Sequence, residues 1–302
     1  MKKLMKIIAV IAILFTFLSP VQSYAATGET KAINEKLGVP IVVYGANLSA
    51  EEKAYVETAL RVEEEPEIDE ITISGQDLVK YIKNSNASSR MYSSAKITRQ
   101  EEGKGIIISI VTPDHITQVT AEMYATAMIT AGINDAIVEV AAPKPVTGHS
   151  ALVGIYKAYE AKTGETLDIE RTDVANEELS VATDLAESAG VSEEQVADLL
   201  TQIKQQIAEK NPATKEEVEA IVKEQLEKLN INLSENDLKA LVDLMNRISK
   251  LDIDFSKLSD QLTELSSSFK EKFGDLLENE GFWQSVKNFF KGIFDAIANL
   301  FK

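Results

Sequence analysis

Residues 121–162 read AEMYATAMITAGINDAIVEVAAPKPVTGHSALVGIYKAYEAK. The stretch carries three elements in a row. Pro113-Asp114 leads into a helix rich in Ala, Met and Thr, which Gly132 ends in the position a left-handed cap requires. Ile137-Val138-Glu139-Val140 is a short strand, and after PKPVTGHS a second helix runs through ALVGIYKAYEAK. Helix, strand and helix in this spacing predict an α/β layer.

The segment before it follows the same scheme. Ile41 to Tyr44 form a strand, Ser49 with Glu52 three residues on is a capping box that opens a helix, Ile71 to Ile73 form the next strand, and Ser74-Gly75-Gln76-Asp77 opens another helix. Ser74-Gly75 in the first half is answered by Thr147-Gly148 in the second. Between the halves, MYSSAKITR and GIIISIV are expected as a hairpin joined by Gln100 to Lys104, with Gly103 in the turn. The expected fold class is therefore α+β. A mixed α/β domain with two β-α-β-α halves spans 26–164, followed by a helical bundle over 165–280 and an amphipathic helix over 281–302.

Residues 118–160 also resemble a known family. Tyr124-Ala125 with Ala131-Gly132-Ile133, Ala142-Pro143, and Val146-Thr147-Gly148 with Ser150-Ala151-Leu152 are similar to the secreted Firmicute family of unknown function typified by YpuA. That resemblance implies export and an envelope setting, and it carries over no catalytic residue.

The first 25 residues support the same setting. Lys2, Lys3 and Lys6 precede an apolar run from Ile7 to Leu18, then Pro20 and a small-residue stretch ending at Ala25. This is the order of a secretory signal peptide, too short in its apolar part to span a bilayer, which takes roughly 20 residues. The expected location is secreted and associated with the bacterial cell envelope. The chain has no Cys, so there is no disulfide framework, thiolate chemistry or lipidation site. A formal net charge of −17 disfavours nucleic acid as a partner, since phosphate binding needs a clustered basic surface.

Candidate site residues gather where Asp114-His115 and Thr147-Gly148-His149-Ser150 follow strands. If the two strands are neighbours, Asp114, His115, Thr147, His149 and Ser150 face one crevice at the carboxyl ends of the sheet. Two His and an Asp are a starting set for a zinc or general-base site, although a helix-initiating Asp beside a surface His needs no chemistry to explain it. Gly148-His149-Ser150 has the outline of a nucleophile elbow, yet Leu152 stands where the second Gly is needed and no His follows Ser150. No Gly-rich phosphate loop is present, and Lys257 and Thr263 break the calcium-loop pattern that begins at Asp252. No catalytic residue, cofactor or metal is assigned. The expected function is that of a binding or scaffolding protein of the envelope. The alternative is a hydrolase of cell-wall material working through the crevice near His115 and His149.

From about residue 165 the chain turns to long charged helices. Ser192-Glu193-Glu194-Gln195, Thr214-Lys215-Glu216-Glu217 and Ser234-Glu235-Asn236-Asp237 each place a capping hydroxyl three residues before an acid or amide. A further seam, Phe255, Leu258, Leu262, Leu265 and Phe269, suits one partner helix. At the end, Phe282, Trp283, Val286, Phe289, Phe290, Ile293, Phe294, Ile297, Leu300 and Phe301 fall within an arc of about 140° on a helical wheel, with Lys287 and Lys291 opposite. That face is expected to contact the membrane surface or an envelope protein, or else to dock on its own bundle or pair two tails. The oligomeric state stays open.

Overall fold

A computed structural model describes residues 37–253, and the account below concerns these. Five strands form one mixed sheet: β1 (Ile41–Gly45), β2 (Asp69–Ile73), β3 (Ser94–Arg99), β4 (Ile106–Ile110) and β5 (Ala136–Ala141). Their spatial order is β2-β1-β3-β5-β4. The pairs β1/β2 and β4/β5 are parallel, while β3 runs antiparallel to both neighbours. Four strands therefore point the same way, and Gly45, Ile73, Ile110 and Ala141 end at the same edge.

Both halves follow the expected order. After β1 comes α1 (Ala50–Ala59), and after β2 comes α2 (Gly75–Tyr81). In the second half α3 (Ala121–Ala131) follows β4, and α4 (His149–Thr163) follows β5. Local chemistry sets these starts. The Ser49 amide donates to Glu52 at 2.9 Å while the Glu52 amide donates to Ser49 Oγ at 3.2 Å. Asp77 accepts from both the amide and the hydroxyl of Ser74. Thr120 rather than the Pro113-Asp114 pair caps α3, and residues Pro113–His115 form only a single 3-10 turn. That helix is shorter at its start than the sequence pattern suggests. Its expected end is in place, with Gly132 at φ 91°.

The hairpin expectation is overturned. β5 lies between β3 and β4, and the 100–105 connection passes around the start of β5. Asp135 holds both ends of that connection: its backbone O accepts from the Gln100 amide at 2.7 Å and its carboxylate from the Gly105 amide at 2.8 Å. The physical reason is a charge. A hairpin closed by Gln100–Lys104 would set the buried Lys96 across from Ile108. Inserting β5 sets it across from Glu139 instead, at 2.7 Å. Lys96 also donates to Leu60 O at 2.7 Å, and Glu139 takes a second cation from Arg61 at 2.9 Å. A buried ammonium without such partners is far more costly than a longer loop.

The sheet has a small and a large apolar face. Val42 and Tyr44 pack with Val56 and Leu60 under α1. Ile41, Val43, Ile73, Ala95, Ile97, Val138 and Val140 face the other way, toward α2, α3 and α4. Beyond them lie α5 (Ile169–Ala189), α6 (Glu193–Lys210), α7 (Lys215–Lys228) and α8 (Glu235–Ile248). Ser192 and Thr214 form the expected capping boxes, and Ser234 accepts from the Asp237 amide. Composition changes near Gly164, the left-handed end of α4, but the hydrophobic core continues past it. Met123, Tyr124 and Met128 of α3 join Val174 and Leu179 of α5, Leu199 and Leu200 of α6, and Leu241 and Met245 of α8 in one cluster.

Where α3, α5 and α6 meet, that core encloses an ion pair. Lys204 Nζ lies 2.8 Å from Glu178 Oε1, with both side chains at 0% exposure. Lys204 also donates to Thr126 O at 2.7 Å and to Thr130 Oγ1 at 3.0 Å, and both threonine hydroxyls donate to Glu178. Burial pushes the Lys204 ammonium below the ordinary lysine range, against the pull of Glu178. Full hydrogen bonding is what makes so dry a pair tolerable.

Candidate functional site

A cleft of about 720 Å³ opens at the carboxyl ends of the parallel strands. One wall is Leu78 of α2 with Ile82 and Ser89–Tyr92 of the loop that follows it, a second is Val146–Ser150 and Val153 at the start of α4, and a third is Asp173, Asn176, Glu177 and Ser180 of α5. Arg247 of α8 closes the rim. The place agrees with the general rule for α/β sheets.

The 82–93 loop is held by close backbone approach. A Cβ on Gly45 would come within 2.4 Å of Met91 O, and one on Gly75 within 2.3 Å of Ala87 O. Asn47 clamps the same loop twice, its amide donating to Met91 O at 3.0 Å and its side chain accepting from Met91 N at 2.7 Å. The rim is tied by charge. Arg247 reaches Glu170 at 3.0 Å, Asp173 at 2.9 Å and Glu177, three acids along one face of α5, while the Lys83 amide donates to Asp173 at 2.8 Å.

The start of α4 differs from the other ends. Its N-cap is Gly148 at φ 103°, which has no side chain to cap the first turn. A Cβ there would lie 2.8 Å from the Tyr124 hydroxyl, and that hydroxyl donates to Gly148 O at 2.6 Å. Burial pushes the Tyr124 pKa up, so it stays a donor. The first amides of α4 thus begin beside the cleft with Thr147, His149 and Ser150. Arg90, exposed on the opposite wall, has no hydrogen-bond or ion-pair partner among the described residues.

Of the five residues expected in one crevice, Thr147, His149 and Ser150 line the cleft, and Asp114 and His115 do not. His115 Nδ1 is 2.7 Å from Ala142 O, and its ring lies 5.7 Å from that of Tyr55 on α1. The Ile116–Val146 bridge brings the two segments together as backbone neighbours, while their imidazoles turn to different surroundings. Thr183 Oγ1 donates to Ser180 O at 2.9 Å and lies 3.5 Å from His149 Nε2. Among the described residues no three His, Asp or Glu side chains gather as a metal site. Residues 254–302, with the Phe255–Phe269 seam and the aromatic face from Phe282 to Phe301, lie outside the described residues.

The family described as Protein of unknown function (DUF1002) matches residues 44–265. The chain belongs to the DUF1002 family. That match covers the cleft, all of the described helices and the sheet apart from Ile41, Val42 and Val43 of β1. Another similar protein is the Uncharacterized protein YpuA of Bacillus subtilis (strain 168), 34% identical over 271 residues, covering 88% of this chain and 91% of that protein. No solved structure matches this DUF1002 chain.

Arg90 and Arg247 are cleft residues that sequence reasoning missed. Arg90 ends the polar run NSNASSR, where a lone cation in a loop between a helix and a strand was the available signal. Arg247 offered none, because its partners stand 70 and more positions away.

The cleft's histidine gives this DUF1002 chain a pH dependence. Burial pulls His149 below its ordinary 6.5, with Asp184 pulling the other way. The folded chain then binds that proton less readily than the unfolded one. Its contribution to stability is complete above about pH 6.5 and is lost as the pH falls from there through the depressed folded value. Urea midpoints measured from about pH 5 to pH 7.5 should fall toward acid more steeply for the parent chain than for His149→Gln.

Proposed function

We propose that this chain is an exported, noncatalytic binding or scaffolding protein of the cell envelope, that its ligand seats in the cleft, and that the amphipathic segment 281–302 holds it to the membrane surface or to an envelope protein. The cleft is the observation that carries this reading. It joins apolar walls, Leu78, Ile82 and Val153, to donors without partners among the described residues, the Arg90 guanidinium and the His149 and Ser150 amides. Such a site suits a small ligand with an anionic or acceptor-rich end and an apolar body. The signal-peptide-like order of residues 1–25, the absence of Cys and the segregation of Lys287 and Lys291 from the aromatic face support the location.

Two measurements test the proposal. Titration with soluble anionic muropeptides should give saturable binding that Arg90→Ala weakens about tenfold or more, the scale of a lost charge-assisted hydrogen bond. Equal binding by the variant, or none by either chain, rejects the cleft as the ligand site. Co-sedimentation of residues 26–302 and 26–280 with anionic and neutral liposomes addresses the tail. The longer chain should pellet on anionic vesicles at low salt and the shorter should not.

A further inference from the structure

The sheet has two edges of opposite character. On the β2 edge, Asp69 and Glu70 are exposed acids, paired with Lys162 and Lys53. Charge of this kind keeps other strands away. The β4 edge, Ile106-Ile107-Ile108-Ser109-Ile110, carries none, in a chain whose net charge is −17. Its Ile107 side chain is 51% exposed.

The backbone of β4 shows which groups are free. Gly105 O accepts from Ala136 N, and Val111 N donates to Val140 O. In a parallel ladder each residue turns its N-H and C=O to the same side and its neighbour turns them to the other. Odd-numbered residues of β4 therefore bond to β5. Ile106, Ile108 and Ile110 turn their N-H and C=O outward, where no strand of the described residues meets them.

We infer that this edge pairs with the same edge of a second copy of the chain, antiparallel, about a twofold axis at Ile108. That register sets Ile106 against Ile110 of the second copy, Ile108 against its equivalent, and Ile110 against Ile106. Each pair exchanges two N-H···O bonds, so every outward group of the three isoleucines is satisfied. Ile107 then stands across from Ser109 of the other copy, twice, with no charge to bury. A shift of two residues in either direction strands an isoleucine at each end. The twofold also closes the assembly: the remaining outer edges are the acid-bearing β2 strands, so growth stops at two chains.

The test is the mass of the full chain by light scattering at tens of micromolar. The parent should have the mass of two chains. Ile107→Lys with Ser109→Lys places lysines across from each other at both non-hydrogen-bonded pairs and should reduce the mass to one chain, with an unchanged circular dichroism spectrum because both positions are exposed. Ile107→Lys with Ser109→Glu carries as many substitutions but sets opposite charges across the axis, and it should restore the two-chain mass. A parent of one-chain mass, a Lys/Lys variant that keeps the two-chain mass, a Lys/Glu variant that stays single, or open-ended larger assemblies would each overturn the inference. Pairing through residues 281–302, in particular, would survive Lys/Lys.

Discussion

Lys204→Met lowers the stability of the fold by about 3–5 kcal/mol, read as a reduced urea midpoint near neutral pH. The substitution keeps the volume and removes the cation, leaving Glu178 at 0% exposure with only the Thr126 and Thr130 hydroxyls. A carboxylate alone in so dry a place favours its protonated form, so the folded variant holds a proton that the unfolded chain releases. Stability then rises as the pH falls toward the carboxylate range, and the deficit against the parent shrinks. The double variant Lys204→Met with Glu178→Leu removes both charges and should regain most of the loss. A deficit that did not change with pH would mean that the cost came from packing rather than from the stranded charge.

Gly45→Ala removes the cleft and lowers stability together. The new Cβ meets Met91 O at 2.4 Å and Met91 C at 2.6 Å, and backbone cannot rotate aside as a flexible side chain can. Either β1 or the 82–93 loop must shift, at a cost of about 1–3 kcal/mol typical of overpacking. Because Asn47 grips Met91 from the same turn, the shift carries Arg90 and Tyr92 with it, and muropeptide binding should be lost to an extent that the stability change alone does not explain. Gly103→Ala is the control. Its Cβ meets nothing, and the 100–105 loop is far from the cleft walls, so the only cost is that of a left-handed residue at φ 82°. Thermal melts alongside binding isotherms of the two variants separate these effects.

What was legible in the sequence was local. The starts of α1, α2, α6, α7 and α8 were visible because a cap joins groups within four positions, and Gly132 could be placed because one left-handed residue ends a helix. Thr147, His149 and Ser150 could be placed beside the cleft because a strand followed by Thr-Gly and a helix puts them at the carboxyl end of the sheet. The hairpin was misread for the same reason: proximity in sequence suggested pairing, whereas the demand of Lys96 for Glu139 is not a local property. Nor could residue order show that His115 turns to Tyr55 and Ala142 while His149 turns to Thr183.

By itself the sequence determined the order of elements, two β-α-β-α halves followed by helices, because capping and hydrophobic period act over a single turn or a few strand residues. The tertiary structure alone decided the order of the strands, the burial of Lys204 with Glu178 and the walls of the cleft. Each of these depends on which distant charge or carbonyl can satisfy a polar group once water is excluded. That condition is met only when segments tens of residues apart are packed together.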